Sequence, residues 1–149
     1  MSQLTCLTKM KRDTRLARLL HVLIHMHLRG GTTNSETIAE MLHTQPSLVR
    51  RTLAALREVG YVQSIAGPGG GWSLARDLND LTVREVYAAI AHTSVFSIGR
   101  AEDNPTCPVE SAVNRFLDDA LGSAETALLN RLAHMRLSEI AECVREQDA

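Results

Sequence analysis

Residues 43–60 read HTQPSLVRRTLAALREVG, and the way this stretch folds decides the reading of the whole chain. Pro46 suits the first position of a helix, where its missing N–H costs nothing, and Gly60 suits the position just past the end. At about 100° per residue, Leu48, Val49, Leu53, Leu56 and Val59 gather on one side. Ser47, Arg50, Arg51, Ala54 and Arg57 gather on the other. A helix entering the DNA major groove needs this combination. A guanidinium can fork onto guanine O6 and N7 or bond phosphate, and a small side chain lets the backbones approach. The N-terminal residues of such a helix meet the bases, which selects Ser47, Arg50 and Arg51. Arg57 lies further along and suits phosphate. Gln45, at the helix mouth, suits either. The plain alternative is a solvated arginine-rich face.

The flanking segments favour DNA. Upstream, TNSETIAEML (33–42) predicts a helix with Ser35 as N-cap and Ile38, Ala39 and Leu42 on its apolar side. The intervening HTQ has the length of a helix-turn-helix turn. Residues 12–28 predict a first helix on Leu16, Leu19, Leu20, Leu23 and Met26, ended by Gly30 and Gly31. Lys9, Lys11, Arg12, Arg15 and Arg18 make its approach basic and suit phosphate. Downstream, YVQSI (61–65) and WSLA (72–75) are short and β-prone, joined by a stretch rich in glycine. A dinucleotide loop would need GxGxxG opening a helix, and a Walker loop would need Gly-Lys-Ser/Thr. Here the glycines lead into a strand, so they shape a hairpin. Its bare tip at Gly67, Gly69 and Gly70 lets backbone come close to a phosphate rail.

LTVREVYAAI (81–90) predicts a further helix with Thr82 and Glu85 spaced as a capping box. Residues 92–108 are irregular, broken by Gly99, Pro105 and Pro108. A long apolar stripe then runs through Val109, Val113, Phe116, Ala120, Ala124, Ala127 or Leu128, Leu132 and Met135, with Leu117 beside it and Gly122 as a point of bending. A stripe of this length needs a covering surface. A second copy is the simple supply, through Val113, Phe116, Leu117, Ala120, Leu128 and Leu132; folding back on its own domain is the alternative. A short C-terminal helix closes the chain.

Charge is divided along this order. Residues 1–76 hold ten Lys or Arg against four Asp or Glu, residues 77–149 six against thirteen, within a formal net charge of −1. One half suits a polyanion and the other does not. At 149 residues and 44% hydrophobic composition, the chain can bury a real core. No apolar run has membrane length and no signal segment opens the chain, so a cytoplasmic protein is expected. Three scattered cysteines, Cys6, Cys107 and Cys143, form neither a disulfide framework nor a metal knuckle. There is no GxSxG, no placed carboxylate pair and no Walker motif, so no enzyme is expected.

SETIAEMLHTQPSLVRRTLAALREVGYVQSIAGPGGGWSLARDLNDLTVREVYAAI, with the long helix and the ending RLSEIAE, resembles the Rrf-two (Rrf2) family of bacterial winged-helix regulators over nearly the whole chain. The resemblance implies a homodimer on a palindromic operator, usually a repressor, with the recognition helix in the major groove and the wing in the minor groove. By it Ser47, Arg50 and Arg51 carry over as helix contacts and Gly67 to Gly70 as wing tip. Ala66 departs from the Arg or Lys that often precedes the wing glycine, which puts insertion of a cation into the minor groove in question.

Well-known members hold an iron–sulfur cluster on three cysteines before the long helix. Here that segment has only Cys107, too few thiolates for a conventional cluster. Non-cysteine ligands would have to come from His92, Glu102, Asp103 or His134. Cys107 could instead be a redox-responsive thiol at a helix N-terminus, or a packing residue. His21 and His25 share a helix face at chelating spacing, but no third ligand is identifiable and Arg18 lies on the same face, so no metal is expected.

The sequence thus predicts a mainly α fold with a small β-hairpin. Residues 1–91 form a winged helix-turn-helix DNA-binding domain, 92–108 a loop and candidate sensor region, and 109–149 a dimerisation helix and C-terminal helix. The expected protein is a sequence-specific regulator of double-stranded DNA, a repressor acting as a homodimer, responding to a small-molecule effector or a redox signal. The alternatives are a winged-helix protein-interaction module and a metal or cluster sensor using non-cysteine ligands.

Overall fold

The computed structural model describes residues 13–90, 95–96 and 98–148. The chain runs α1 (Arg15–Arg29), α2 (Ser35–Leu42), α3 (Pro46–Glu58), β1 (Val62–Ile65), β2 (Gly71–Leu74), a short 3-10 turn (Leu78–Asp80), α4 (Val83–Ala88), α5 (Pro108–Ala133) and α6 (Leu137–Asp148). It is mainly helical with one two-stranded antiparallel sheet.

The core forms where α1, α2 and α3 turn their apolar sides inward. Leu23, Ile38, Leu53 and Leu56 are fully buried there, with Val22 and Val49 between them. Asn34, not Ser35, caps α2: its side chain accepts from the Thr37 N–H at 2.8 Å. Ser35 is buried and its hydroxyl accepts instead from Trp72 Nε1 at 3.0 Å. The turn after α2 places His43 in the left-handed region, φ 51, which brings the Thr44 N–H back onto the Ala39 carbonyl at 2.9 Å. Pro46 then opens α3 at its first turn.

The hairpin pairs Val62 with Leu74 and Ile65 with Gly71. At its tip the Gly70 N–H donates to the Gly67 carbonyl at 2.9 Å, with Pro68 and Gly69 between. Gly69 has φ +75, the left-handed conformation that this position of a Pro-led type II turn demands.

The C-terminal third returns to this core. Leu132, Leu137 and Ala141 are buried with the residues of α1 and α4. Backbone bonds lock the return: the Val83 N–H donates to the Met135 carbonyl at 2.8 Å and the Leu137 N–H to the Leu81 carbonyl at 3.0 Å. The unit expected to end at residue 91 therefore takes its last packing layer from α6 and the end of α5. The loop before α5 is pinned by Asn114, 5% exposed. Its amide donates to the Ala101 carbonyl at 2.8 Å and accepts from the Ala101 N–H at 3.0 Å.

The capping box of α4 is complete. The Glu85 carboxylate accepts from the Thr82 N–H at 2.9 Å, and the Thr82 hydroxyl accepts from the Glu85 N–H at 3.2 Å. Arg76 Nη1 also donates to Glu85, at 3.2 Å. The Thr82 backbone N–H chiefly holds the Glu85 carboxyl below its ordinary value of 4.5; burial opposes it next, and Arg76 adds further lowering. A lowered folded value means the stabilisation is present above the unfolded pKa and is lost as pH falls through the folded one. Glu85→Gln is expected to cost about 0.5–1 kcal/mol at pH 7, a modest figure because the carboxylate is solvent-screened. The difference from the parent protein should begin to shrink as pH falls past 4.5 and disappear on further acidification through the lowered folded value, as followed by denaturant midpoints across pH. A difference that persisted in acid would remove the carboxylate from the cap.

Candidate nucleic-acid interface

The exposed side of α3 carries the residues selected from the sequence. Ser47, Arg50, Arg51 and Arg57 are all exposed, while Val49, Leu53 and Leu56 face the core. Leu48 is only half-buried, and Val59, which caps the helix, is 43% exposed. Gln45 is the N-cap residue, but its side chain makes no capping bond, which leaves the amide at the helix mouth. Arg50 Nη1 lies 3.6 Å from Glu36 Oε1, an exposed pair that a stronger polyanion can replace at small cost. Arg51 forms no ion pair among the described residues.

Arg57 has a position the sequence did not suggest. Its guanidinium lies 5.6 Å from the centre of the Trp72 ring and donates to Ser64 Oγ at 3.3 Å. It braces α3 against the hairpin, fixing the angle between helix and wing, and remains exposed on the same side. Trp72 is thus the joint of the site. Its ring holds Arg57, its indole N–H holds Ser35, and its backbone exchanges two hydrogen bonds with Thr33, at 2.9 and 2.8 Å. The lone tryptophan in a hairpin strand was the available signal for this joint.

At the hairpin tip Gly67 and Gly69 are exposed and Gly70 half-buried. Arg15 stands at the start of α1 and pairs with Asp13 at 2.7 Å. Lys9, Lys11, Arg12, Cys6 and His92 lie outside the described residues. α3 and the hairpin tip so present cationic side chains and bare backbone on neighbouring elements, the division of labour of a winged helix on duplex DNA.

Comparison with known proteins agrees. A family profile described as an iron-dependent transcriptional regulator, Rrf2, matches residues 12–143. The chain belongs to the Rrf2 family of transcriptional regulators. It is 32% identical over 128 residues to YwnA of Bacillus subtilis (strain 168), named as an HTH-type transcriptional regulator, covering 86% of this chain and 95% of that one. A crystal structure described as a DNA-binding protein superposes with a TM-score of 0.69 at 32% identity, over 85% of this chain and 97% of that one. The T. potens IscR structure shares the fold, with a TM-score of 0.71 at 17% identity over 95% and 93%. The chain is therefore a transcriptional regulator with a winged-helix DNA-binding fold.

The Rrf2 description implies iron, and the described side chains form no site that fits it. Among the described residues no group of three or more His, Cys, Asp or Glu comes together to hold a metal ion. Cys107 caps α5 without a side-chain cap bond and is half-buried. Glu102 and Asp103 are exposed, and His134 Nδ1 lies 2.6 Å from the Asn130 carbonyl on its own helix. His21 and His25 bring their Nε2 atoms to 3.0 Å, one donating to the other. Burial, then the neighbouring His21, pushes the His25 value down. No third ligand joins this pair among the described residues.

Proposed function

We propose that the chain is a sequence-specific repressor that binds a palindromic operator as a homodimer in the cytoplasm and releases it on a small-ligand or redox signal. The observation that carries this reading is the outward face of α3, where Ser47, Arg50 and Arg51, the last with no ion pair among the described residues, stand beside a wing braced by Arg57 and Trp72. The exposed stripe on α5 supports the second copy: Val109, Val113 and Phe116 are 70%, 49% and 74% exposed. Two-fold pairing would place two α3 helices about 34 Å apart or a close multiple, matching successive major grooves on one side of the duplex. Cys107, at the mouth of the dimerisation helix, is the candidate for a redox response.

Selection of duplexes from a random library should return sites with two-fold symmetry. Arg51→Ala should weaken the selected duplex by about 1–3 kcal/mol and relax base choice at one position per half-site, read by fluorescence anisotropy on single-base variants. Unchanged affinity would take Arg51 out of the recognition face. Binding with no preference between duplexes would favour the protein-interaction module instead.

A further inference from the structure

Between the start of α1, the flank of α3 and the end of α4 lies a cavity of about 240 Å³. Its floor is apolar, with Leu19, Leu48, Ala89 and Ile90. Three guanidinium groups stand around it: Arg15, Arg18 and Arg51. Asp13 answers Arg15. Among the described residues, Arg18 and Arg51 have no ion pair and no carboxylate lines the cavity. Among the described residues the Arg18 guanidinium reaches the Thr14 hydroxyl, at 3.5 Å.

An apolar floor beneath unanswered cations matches one kind of occupant. A hydrated phosphate satisfies the guanidinium groups but leaves the floor wet. A neutral apolar molecule covers the floor but leaves the charges unanswered. A small organic anion does both, burying its body on the leucines while its head group takes forked bonds from arginine. Residues 1–12 contain Lys9, Lys11 and Arg12 and no acidic residue, so that segment does not answer the charge.

We propose that this cavity is an effector site for a small organic anion whose carboxylate, sulfonate or phosphate is held by Arg18 and Arg51. Because Arg51 belongs to the recognition face, an anion bound there withdraws it from DNA. The site would couple ligand to operator by direct competition for one side chain. This consequence rests on the DNA reading above; anion binding itself does not.

The test uses the full chain, 15N-labelled, titrated with sodium 2-naphthoate in the absence of DNA. Neutral 2-naphthamide and inorganic phosphate serve as comparators. The expected result is one saturable site per protomer, with shifts at Leu19, Thr52 and Ala89, and no saturation by the amide. Arg18→Ala should weaken 2-naphthoate at least tenfold. Ala89→Leu, which fills the floor and removes no cation, should abolish it. In a second arm, 2-naphthoate should release a duplex selected from a random library from the parent protein, and not from Ala89→Leu, which still binds that duplex. Parent-like 2-naphthoate binding by both variants, or shifts confined to α5, would overturn the site. Equal saturation by phosphate would reduce it to a backbone contact of the DNA interface. Saturation without release of the duplex would overturn the competition. If 2-naphthoate saturates as described while no duplex is ever selected, the DNA reading falls and the anion site stands.

Discussion

Phe116→Glu should convert the proposed dimer to a monomer and lower its affinity for the proposed two-fold operator by at least about a hundredfold, because a second half-site is no longer bound at high effective concentration. Phe116 is 74% exposed, an unusual fate for a phenylalanine, and it shares a helix side with Val109 and Val113. Burying such a side chain is worth about 1.5–3 kcal/mol, and in a two-fold interface each contact occurs twice. A carboxylate there reverses the sign of this contribution and adds repulsion, since α5 already carries Asp118 and Asp119 close by. Phe116 lies outside the core, so the thermal midpoint of the monomer should change little apart from the lost association. Sedimentation equilibrium and operator titration check the two halves. A dimer that survives Phe116→Glu moves the interface off this stripe. A monomer with undiminished affinity shows that the operator does not need two copies.

The stripe on α5 also shows what a one-dimensional pattern conceals. Every third or fourth residue from 109 to 135 is apolar, and the periodicity looks uniform. In the folded chain it divides. Leu132 is buried and Leu128 packs against the core, so these two are covered within their own chain. Val109, Val113 and Phe116 stay outside, and Ala120 is exposed with them. Local spacing reports a face, not what covers it. That depends on the return of α6 through Leu137 and Ala141, a contact with α1 more than a hundred residues away in sequence. The same limit explains the cap of α2. Ser35 and Asn34 are equivalent by local rule, and Trp72 decides between them by occupying the Ser35 hydroxyl. What could be read in advance was local: the turn before Pro46, the apolar side of α3 and the Thr82–Glu85 box. Val59 failed on the same ground, since the last residue of the pattern is the helix cap and turns outward. The arginine face was legible because it is also local, whereas the bracing of Arg57 by Trp72 joins two elements and was not.

Gly71→Ala should destabilise the fold by about 2–4 kcal/mol and loosen the wing, whereas Gly69→Ala, only two residues away, should cost about 1 kcal/mol. The contrast follows from what each Cβ would meet. Both residues have positive φ, +75 at Gly69 and +144 at Gly71, so both substitutions strain the backbone. At Gly69 the added carbon points into open space. At Gly71 it would stand 2.6 Å from the Thr33 carbonyl oxygen and 2.8 Å from the Thr33 carbonyl carbon, too close for any real pair and with no flexible side chain to move aside. Relief requires β2 to draw away from the segment between α1 and α2. That movement breaks the paired Thr33–Trp72 backbone bonds and pulls the indole N–H off Ser35. Thr33 and Ser35 are buried at 4% and 7% exposure, so the groups left behind have little access to water. Since Trp72 also carries the Arg57 guanidinium, the angle between wing and α3 should change with it. Gly71→Ala should therefore lose operator affinity at temperatures where it is still folded, by more than Gly69→Ala does. Equal costs for the two substitutions, measured by denaturant unfolding, would mean that the wing is not anchored at Thr33 and that Trp72 is not its joint.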